Sequence, residues 1–183
     1  MQAAADLGYR PHPAAQLLRQ HRSRLIGVLF DPGDPFHADL LEALYVAADG
    51  FGYELALAAS VPSRSPQRSI DGLVASRCEG LVLVGGAQRT AQVRGAAAVV
   101  PTTVIGRRVP GSGADAVHTA EATGTRLAVD HLVGLGHRRI RFVDGGRQPG
   151  SAERRRGYRA AMTRHGLDAD VVAGDHGEES GVR

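Results

Sequence analysis

The sequence predicts an α/β protein built on a doubly wound parallel sheet, and two observations lead to that class. Short apolar runs of strand length, several of them rich in Val, Ile and Leu, recur without polar alternation, which is typical of strands covered on both faces. Amphipathic stretches separate them, so the chain consists of β–α units joined by short loops. The predicted strands are 25–30, 54–59, 80–84, 102–105, 114–118, 140–143 and 171–173.

Five helices are predicted between these strands. In the first, Leu40, Leu41 and Leu44 recur on one face, and Gly50 and Gly52 supply its end. The fourth has Thr119 as its candidate N-cap and the fifth begins near Ser151. The predicted helices are 37–50, 66–77, 88–98, 121–135 and 151–166.

The first 24 residues do not fit this pattern, and they carry the excess positive charge. Residues 10–24 contain four arginines and two histidines without an acid, although the net charge of the whole chain is only +3. The short helix predicted over 14–20 is too short to persist alone in water. Such a segment suits a polyanion such as the DNA backbone. A solvated basic linker is the alternative interpretation.

Composition and motifs argue against several other classes. The single Cys78 excludes an internal disulfide and is interpreted as a small buried hydrophobe beside a strand. No apolar run approaches the length of a membrane span and no signal peptide is visible, so a cytoplasmic location is expected. A nucleophile elbow, a phosphate-binding or dinucleotide fingerprint and a metal-ligand cluster are all missing. Catalysis, a cofactor and a metal are therefore not expected.

Six phrases of the sequence together resemble the LacI family of transcription repressors. They follow the family's order at about its spacing over nearly the whole chain, and the ordered set is far more specific than any one phrase. The phrases are AAADLGYRP at 3–11, SRLIGVL at 23–29, DPFHADLL at 34–41 with GYEL at 52–55, GLVL at 80–83, HLVGLGHRRI at 131–140 and RRRGYRAA at 154–161.

The resemblance implies a periplasmic-binding-protein-like fold of type I, with the first subdomain and the start of the second. It divides the chain into the end of a helix-turn-helix headpiece (1–10), a hinge (11–24), an N-terminal effector-binding subdomain (25–138) and the start of the C-terminal one (139–183). The recognition helix and the strands that complete both subdomains are then expected outside the chain. The chain is accordingly expected to be a fragment of a regulator that forms a homodimer or tetramer, with low stability from open sheet edges.

The resemblance also assigns DNA contacts to the hinge. Leu18 is the residue that would enter the minor groove, where an apolar wedge unstacks a base step. Ala14 and Ala15 are small enough for paired hinge helices to approach closely. Arg10 and Arg19 would neutralise phosphates. Without the headpiece, we expect specific DNA binding by this chain to be weak or absent, because hinge contacts alone do not offset the ordering cost.

Effector contacts are expected in the loops at the carboxyl ends of the strands, where such sheets bind ligands. The resemblance implies that Phe36 places a ring against a sugar or nucleoside and that Asp34 accepts hydroxyl protons. Arg154 stands where the family has an effector-binding arginine, whose guanidinium suits vicinal hydroxyls or a carboxylate. Thr123 and Glu121 begin the fourth helix near the cleft.

The function expected from these residues is a DNA-binding transcriptional regulator, a repressor, whose operator affinity a small ligand controls allosterically. The alternative is a periplasmic-type sugar-binding protein without DNA binding, which shares the fold. That alternative requires a signal peptide and no hinge. An enzyme is the third and weakest possibility.

Overall fold

The computed structural model describes residues 22–86, 88–146 and 148–174. Every strand and helix predicted within these ranges is present, with ends that differ by at most two residues. The helices predicted before residue 22 lie outside the described residues. In chain order the elements are β1 (Leu25–Phe30), α1 (Pro35–Phe51), β2 (Glu54–Ala59), α2 (Pro66–Ala75), β3 (Gly80–Val84), α3 (Thr90–Ala97), β4 (Thr102–Ile105), β5 (Asp115–Val117), α4 (Glu121–Gly134), β6 (Arg141–Asp144), α5 (Ser151–Arg164) and β7 (Asp170–Ala173).

The first five strands form one parallel sheet in the order β2-β1-β3-β4-β5. Leu29 of β1 lies opposite Ala58 of β2 on one side and Leu83 of β3 on the other. The order reverses at β1, so right-handed connections place α1 on the face opposite α2 and α3. The doubly wound prediction is confirmed. A separate parallel pair is formed by β6 and β7.

The core of the first sheet lies under α2 and α3. Leu29 and Leu83 are fully buried there against Ile70 and Val93. Cys78 is buried in the same cluster, which confirms its interpretation as a small hydrophobe. Its burial raises the pKa of the thiol, so the sulfur stays protonated at neutral pH.

A second core forms between α4 and α5 and beside β6 and β7. Tyr158, Met162 and Val129 are buried in it. A Cβ at Gly157 would lie 2.3 Å from the carbonyl oxygen of Ala122, so only glycine allows the two helix backbones to approach this closely. The helices α4 and α5 therefore belong to one packing unit.

The predicted range 25–138 groups α4 with the first subdomain, whereas in the structure Val129 of α4 is buried against α5. We call α4, β6, α5 and β7 the second unit, and the boundary between the subdomains stays a prediction. An amphipathic pattern shows that one face of a helix is buried, but it does not show against which element. The N-cap prediction is corrected: Ala120 occupies that position without a side-chain hydrogen bond, and the hydroxyl of Thr119 donates to Glu121 instead.

The chain enters β1 through a cluster of polar contacts at the amino end of the first sheet. The carboxylate of Glu79 accepts hydrogen bonds from the backbone N–H of Arg24 at 3.1 Å and from the hydroxyl of Tyr53 at 3.0 Å. Arg24 has a positive φ of 51°, a conformation that a side chain rarely adopts and that these contacts stabilise. The bond from Arg24 is the main reason why the pKa of Glu79 lies below its ordinary value. We call Arg24, Tyr53 and Glu79 the amino-end clamp.

Candidate functional site

A crevice lies at the carboxyl edge of the first sheet. The strand order reverses between β1 and β3, so the loops after these strands diverge, and open α/β sheets bind ligands at such points. A cavity of about 470 Å³ lies at this edge, between the loops after β4 and β5 and the first residues of α4 and α5. This volume suits a small metabolite. Its polar lining includes Arg107, Arg108, His118, Glu121, Thr123 and Arg156.

The loop after β1 is fixed by the start of α1. One carboxylate oxygen of Asp34 accepts the backbone N–H of Phe36 at 3.0 Å and so caps the helix, with Pro35 at its first position. The ring of Phe36 is 63% exposed, and its centroid lies 6.4 Å from that of His37. The phenyl face is therefore open to a ligand.

His37 is a residue of this loop that the sequence analysis did not select. Its ring is buried, and Nδ1 accepts the backbone N–H of Asp31 at 3.0 Å. The same nitrogen lies 3.2 Å from the carbonyl oxygen of Asp31, and Nε2 lies 3.7 Å from a carboxylate oxygen of Asp34. A Cβ at Gly85 would lie 3.2 Å from this ring, so His37 also contacts the loop after β3. The sequence does indicate that His37 is buried, because it lies on the same helical face as Leu40, Leu41 and Leu44.

Glu121, which lines the 470 Å³ cavity, is bound to Arg154. Arg154 donates from Nη1 to Glu121 at 2.9 Å and from Nη2 to the carbonyl of Pro149 at 3.1 Å. Gly150, at the N-cap of α5, has a φ of 78°, and a Cβ there would lie 3.0 Å from Glu121. The ion pair thus joins the first residue of α4 to the start of α5. Thr123 lies exposed beside it.

The two units touch through the loops after β3 and β6. A Cβ at Gly86 would lie 2.8 Å from the ring of Pro149, so a side chain at Gly86 would separate these loops. The contact brings the loop that packs on His37 next to the loop that packs on Arg154. The loops after β3 and β6 therefore lie side by side, and the 470 Å³ cavity is lined by residues of both units.

Four buried polar atoms without a hydrogen-bond partner lie in these loops or next to them. They belong to Gln88, Arg107, Asp144 and Ser151, in the part of the chain that the structure describes. The guanidinium of Arg107 donates to the carbonyl of Gln88, and burial lowers its pKa. Asp144 is held through its other oxygen by Arg155. Buried polar atoms normally have partners, and of these four residues only Arg107 lines the 470 Å³ cavity.

A larger cavity of about 720 Å³ lies between α4 and β6. Its walls are mainly apolar, with Leu127, Leu132 and Phe142 among them. It follows the edge of β6 that pairs with no strand among the described residues. It offers few groups that could orient a polar ligand, so the smaller cavity is the better candidate for a binding site.

The structure separates the predicted effector residues into two groups. Asp34 and Phe36 lie after β1, whereas Glu121, Thr123 and Arg154 lie at the starts of α4 and α5. Of these residues, Glu121 and Thr123 line the 470 Å³ cavity, and among the described contacts no direct bond joins the two groups. The predicted hinge residues lie outside the described residues: Leu18, Ala14, Ala15, Arg10 and Arg19.

Residues 22–86, 88–146 and 148–174 lack two further features. No group of three or more His, Cys, Asp or Glu side chains there could hold a metal ion. None of the helices in these ranges is both long and apolar enough to pass through a membrane.

The comparisons with known proteins agree on one family. Residues 23–181 match the family described as periplasmic binding proteins and sugar binding domain of LacI family. The chain is 26% identical to the HTH-type transcriptional repressor CytR of Escherichia coli over 99% of its own length and 55% of that protein. It therefore spans about half the length of the curated relatives it matches.

Solved structures that are similar to this chain come from the same family. A LacI transcriptional regulator from a Rhodococcus species is 43% identical with a TM-score of 0.80, over 86% of this chain and 59% of that one. The lac repressor dimer bound to operator and the anti-inducer ONPF is 25% identical with a TM-score of 0.84, over 98% of this chain and 56% of that one.

Proposed function

Because this chain belongs to the family of periplasmic binding proteins and LacI-type sugar-binding domains, we propose that it is the effector-binding portion of a LacI-type transcription repressor. The observation that carries the proposal is the crevice between two packing units, where polar side chains of both units meet. The similarity to the repressor CytR over nearly the whole chain favours a regulator over a periplasmic binding protein.

The effector would be held from both sides of the crevice. On the β1 side, Asp34 accepts hydroxyl protons and the exposed ring of Phe36 covers an apolar face of a sugar or nucleoside. On the other side, Arg154 donates a guanidinium fork, and Thr123 adds a hydroxyl. Glu121 orients Arg154 through the 2.9 Å ion pair.

Ligand binding becomes allosteric if it favours one arrangement of the two units over another. The units touch through small surfaces such as Gly86 and Pro149, so a ligand that bonds to both loops changes how they sit together. The amino-end clamp fixes the entry of the chain into the first unit. Movement of that unit is thereby passed to the basic segment before residue 24, which acts in the cytoplasm on DNA.

The DNA contacts belong to the complete regulator. There, Leu18 would enter the minor groove, Ala14 and Ala15 would allow two hinge helices to approach, and Arg10 and Arg19 would neutralise phosphates. A homodimer or tetramer supplies the second hinge. The exposed apolar side chains on α1 are candidates for its interface: Tyr45, Val46 and Phe51.

Ligand binding is tested by calorimetry of the chain against neutral sugars and nucleosides. We expect at least one member to bind and Arg154→Gln to weaken it by about tenfold or more, the loss of one charge-assisted hydrogen bond. Glu121→Gln should weaken it less, because Arg154 keeps its charge. Binding that is unchanged in Arg154→Gln, or a panel without any ligand, would contradict the proposal.

DNA binding is tested by gel shift of residues 1–183 beside a longer protein that includes the helix-turn-helix. We expect the longer protein to select a sequence and respond to ligand, and the present chain to bind weakly and lose binding as salt rises. Ligand binding without any sequence-specific DNA binding by the longer protein would favour the periplasmic-type alternative.

A further inference from the structure

The carboxyl edge of the first sheet carries opposite charges on its two sides. The loop after β1 presents Asp31 and Asp34, whereas the loop after β4 presents Arg107 and Arg108. Only β3 lies between these strands, so their ends are about 10 Å apart at the usual strand spacing. That distance matches the length of a small sugar with a substituent at one end.

The arginines after β4 are not matched by acids. The two glutamates of the 470 Å³ cavity are already bound, Glu121 to Arg154 at 2.9 Å and Glu153 to Arg156 at 3.3 Å. Within the described ranges, no carboxylate lies within ion-pair distance of Arg107 or Arg108. This wall of the cavity therefore has an excess of positive charge.

Arg107 is also held in place before any ligand arrives. Its guanidinium is partly buried and donates to the carbonyl of Gln88, while its Nε is buried without a partner. Burial disfavours its charge and lowers its pKa, although an arginine stays protonated at neutral pH. An anion in the cavity would offset that cost, whereas a neutral ligand would not.

The amino-terminal ends of α4 and α5 lie at the same cavity and add to its positive electrostatic potential. Ala120 and Gly150, the N-cap residues of α4 and α5, make no side-chain capping bond, and both line the cavity. Backbone N–H groups at such ends favour anions, and Glu121 and Glu153 in the first turns already supply part of that negative charge. DNA does not explain these charges, because the segment that precedes β1 enters the sheet at its opposite end.

We propose that the crevice takes an anionic carbohydrate, a sugar phosphate or a sugar acid, with its anionic group at Arg107 and Arg108 and its hydroxyls toward Asp34. This inference rests on the proposed function and narrows its ligand class. A guanidinium fork binds phosphate or carboxylate through two parallel hydrogen bonds. The carboxylates after β1 accept only hydroxyl protons and repel a second anionic group, which fixes the orientation of the ligand.

The test compares each neutral sugar with its anionic derivatives by calorimetry. The probes are glucose, glucose 6-phosphate and glucuronate, then ribose and ribose 5-phosphate. We expect at least one anionic form to bind about tenfold or more tightly than its neutral parent, with a preference that falls as salt rises. The phosphate and carboxylate arms show which anion the site takes.

Substitutions of the two arginines test whether they cause the preference for an anionic ligand. Arg108→Gln, at an exposed position that should not affect folding, and Arg107→Gln should each reduce the ratio of anionic to neutral affinity severalfold, and the double variant should bring that ratio close to one. Arg139→Gln, an exposed arginine at the amino end of β6, removes the same charge far from the cavity and should change nothing.

Inorganic phosphate provides a second readout, since it should shift the NMR signal of the Arg107 Nε–H. Neutral sugars that bind as tightly as their anions would overturn the anionic class and leave the proposed function standing. A preference that survives in the double variant would overturn the assignment to these arginines. A panel in which nothing binds would overturn both proposals.

Discussion

In the first unit, β1 is hydrogen-bonded on both sides, to β2 and to β3. In the second unit, β6 has the corresponding place at the start of a β–α–β sequence, yet among the described residues it pairs only with β7. The helices that follow these strands show the opposite difference, because the helix of the second unit is the more buried one. The 17-residue α1 buries only His37 and Ala48, whereas the 14-residue α5 buries five residues, Tyr158 and Met162 among them.

The difference lies in the contacts that hold each unit together among the described residues. The first unit has sheet pairing on both sides of β1 and a core shared by β1, β3, α2 and α3. In the second unit, the described contacts are mainly the close backbone approach of α4 and α5 and the packing of Tyr158. Changes between these two helices should therefore have larger effects than equivalent changes in the first unit.

The largest effect is expected from Gly157→Ala. The new methyl group would lie 2.3 Å from the carbonyl oxygen of Ala122, and backbone cannot move aside as a flexible side chain does. We expect a loss of about 3 kcal/mol in the free energy of unfolding, measured by urea denaturation. Gly124→Ala on α4 is the matched control, since nothing lies within 4 Å of its Cβ position, and it should stabilise by up to about 1 kcal/mol. Equal stability of the two variants would refute the close helix contact.

Tyr158→Phe should have the next largest effect. The hydroxyl donates to the carbonyl of Ile140 at 2.7 Å and accepts the N–H of Asp170 at 2.8 Å, so its removal leaves two backbone groups without that partner. We expect a loss of about 2 kcal/mol. Tyr53→Phe in the amino-end clamp removes one bond, to Glu79, and should cost about 1 kcal/mol or less. A larger loss in Tyr53→Phe would reverse the comparison between the units.

Acid titration should give smaller effects in both units. The pKa of Glu79 is lowered from 4.5, first by the Arg24 N–H, and that of Asp130 from 3.8, first by Arg164 and then by His165. Since both folded pKa values lie below the unfolded ones, these carboxylates stabilise fully above the unfolded pKa, and the contribution is lost as pH falls through the folded pKa. Glu79→Gln and Asp130→Asn should each flatten the fall in melting temperature below about pH 4.5. An unchanged slope in both variants would show that the contacts do not form in solution.

Much of the fold was predictable because its signal is local. Buried parallel strands are continuous apolar runs, and all seven predicted strands are present. The partner of α4 was not predictable, because periodicity marks its buried face but not the helix that covers it. Ala47 and Ala48 show the same limit: they are identical neighbours in α1, yet Ala47 is exposed and Ala48 is buried.

The candidate site was predictable in its location more than in its contacts. Loops at the carboxyl ends of parallel strands follow from topology, and these loops were selected from the sequence. The pairing of Glu121 with Arg154 joins residues 33 positions apart, and no local pattern reports it. The buried ring of His37 and the unmatched charge of Arg107 likewise depend on residues brought close only by the fold.

The amino-end clamp and the crevice lie at opposite ends of the first sheet, separated by the six residues of β1, about 20 Å. No residue of one can touch the other. A substitution at one end therefore removes no contact at the other, so the lining of the crevice can change while the path of the chain into β1 stays the same.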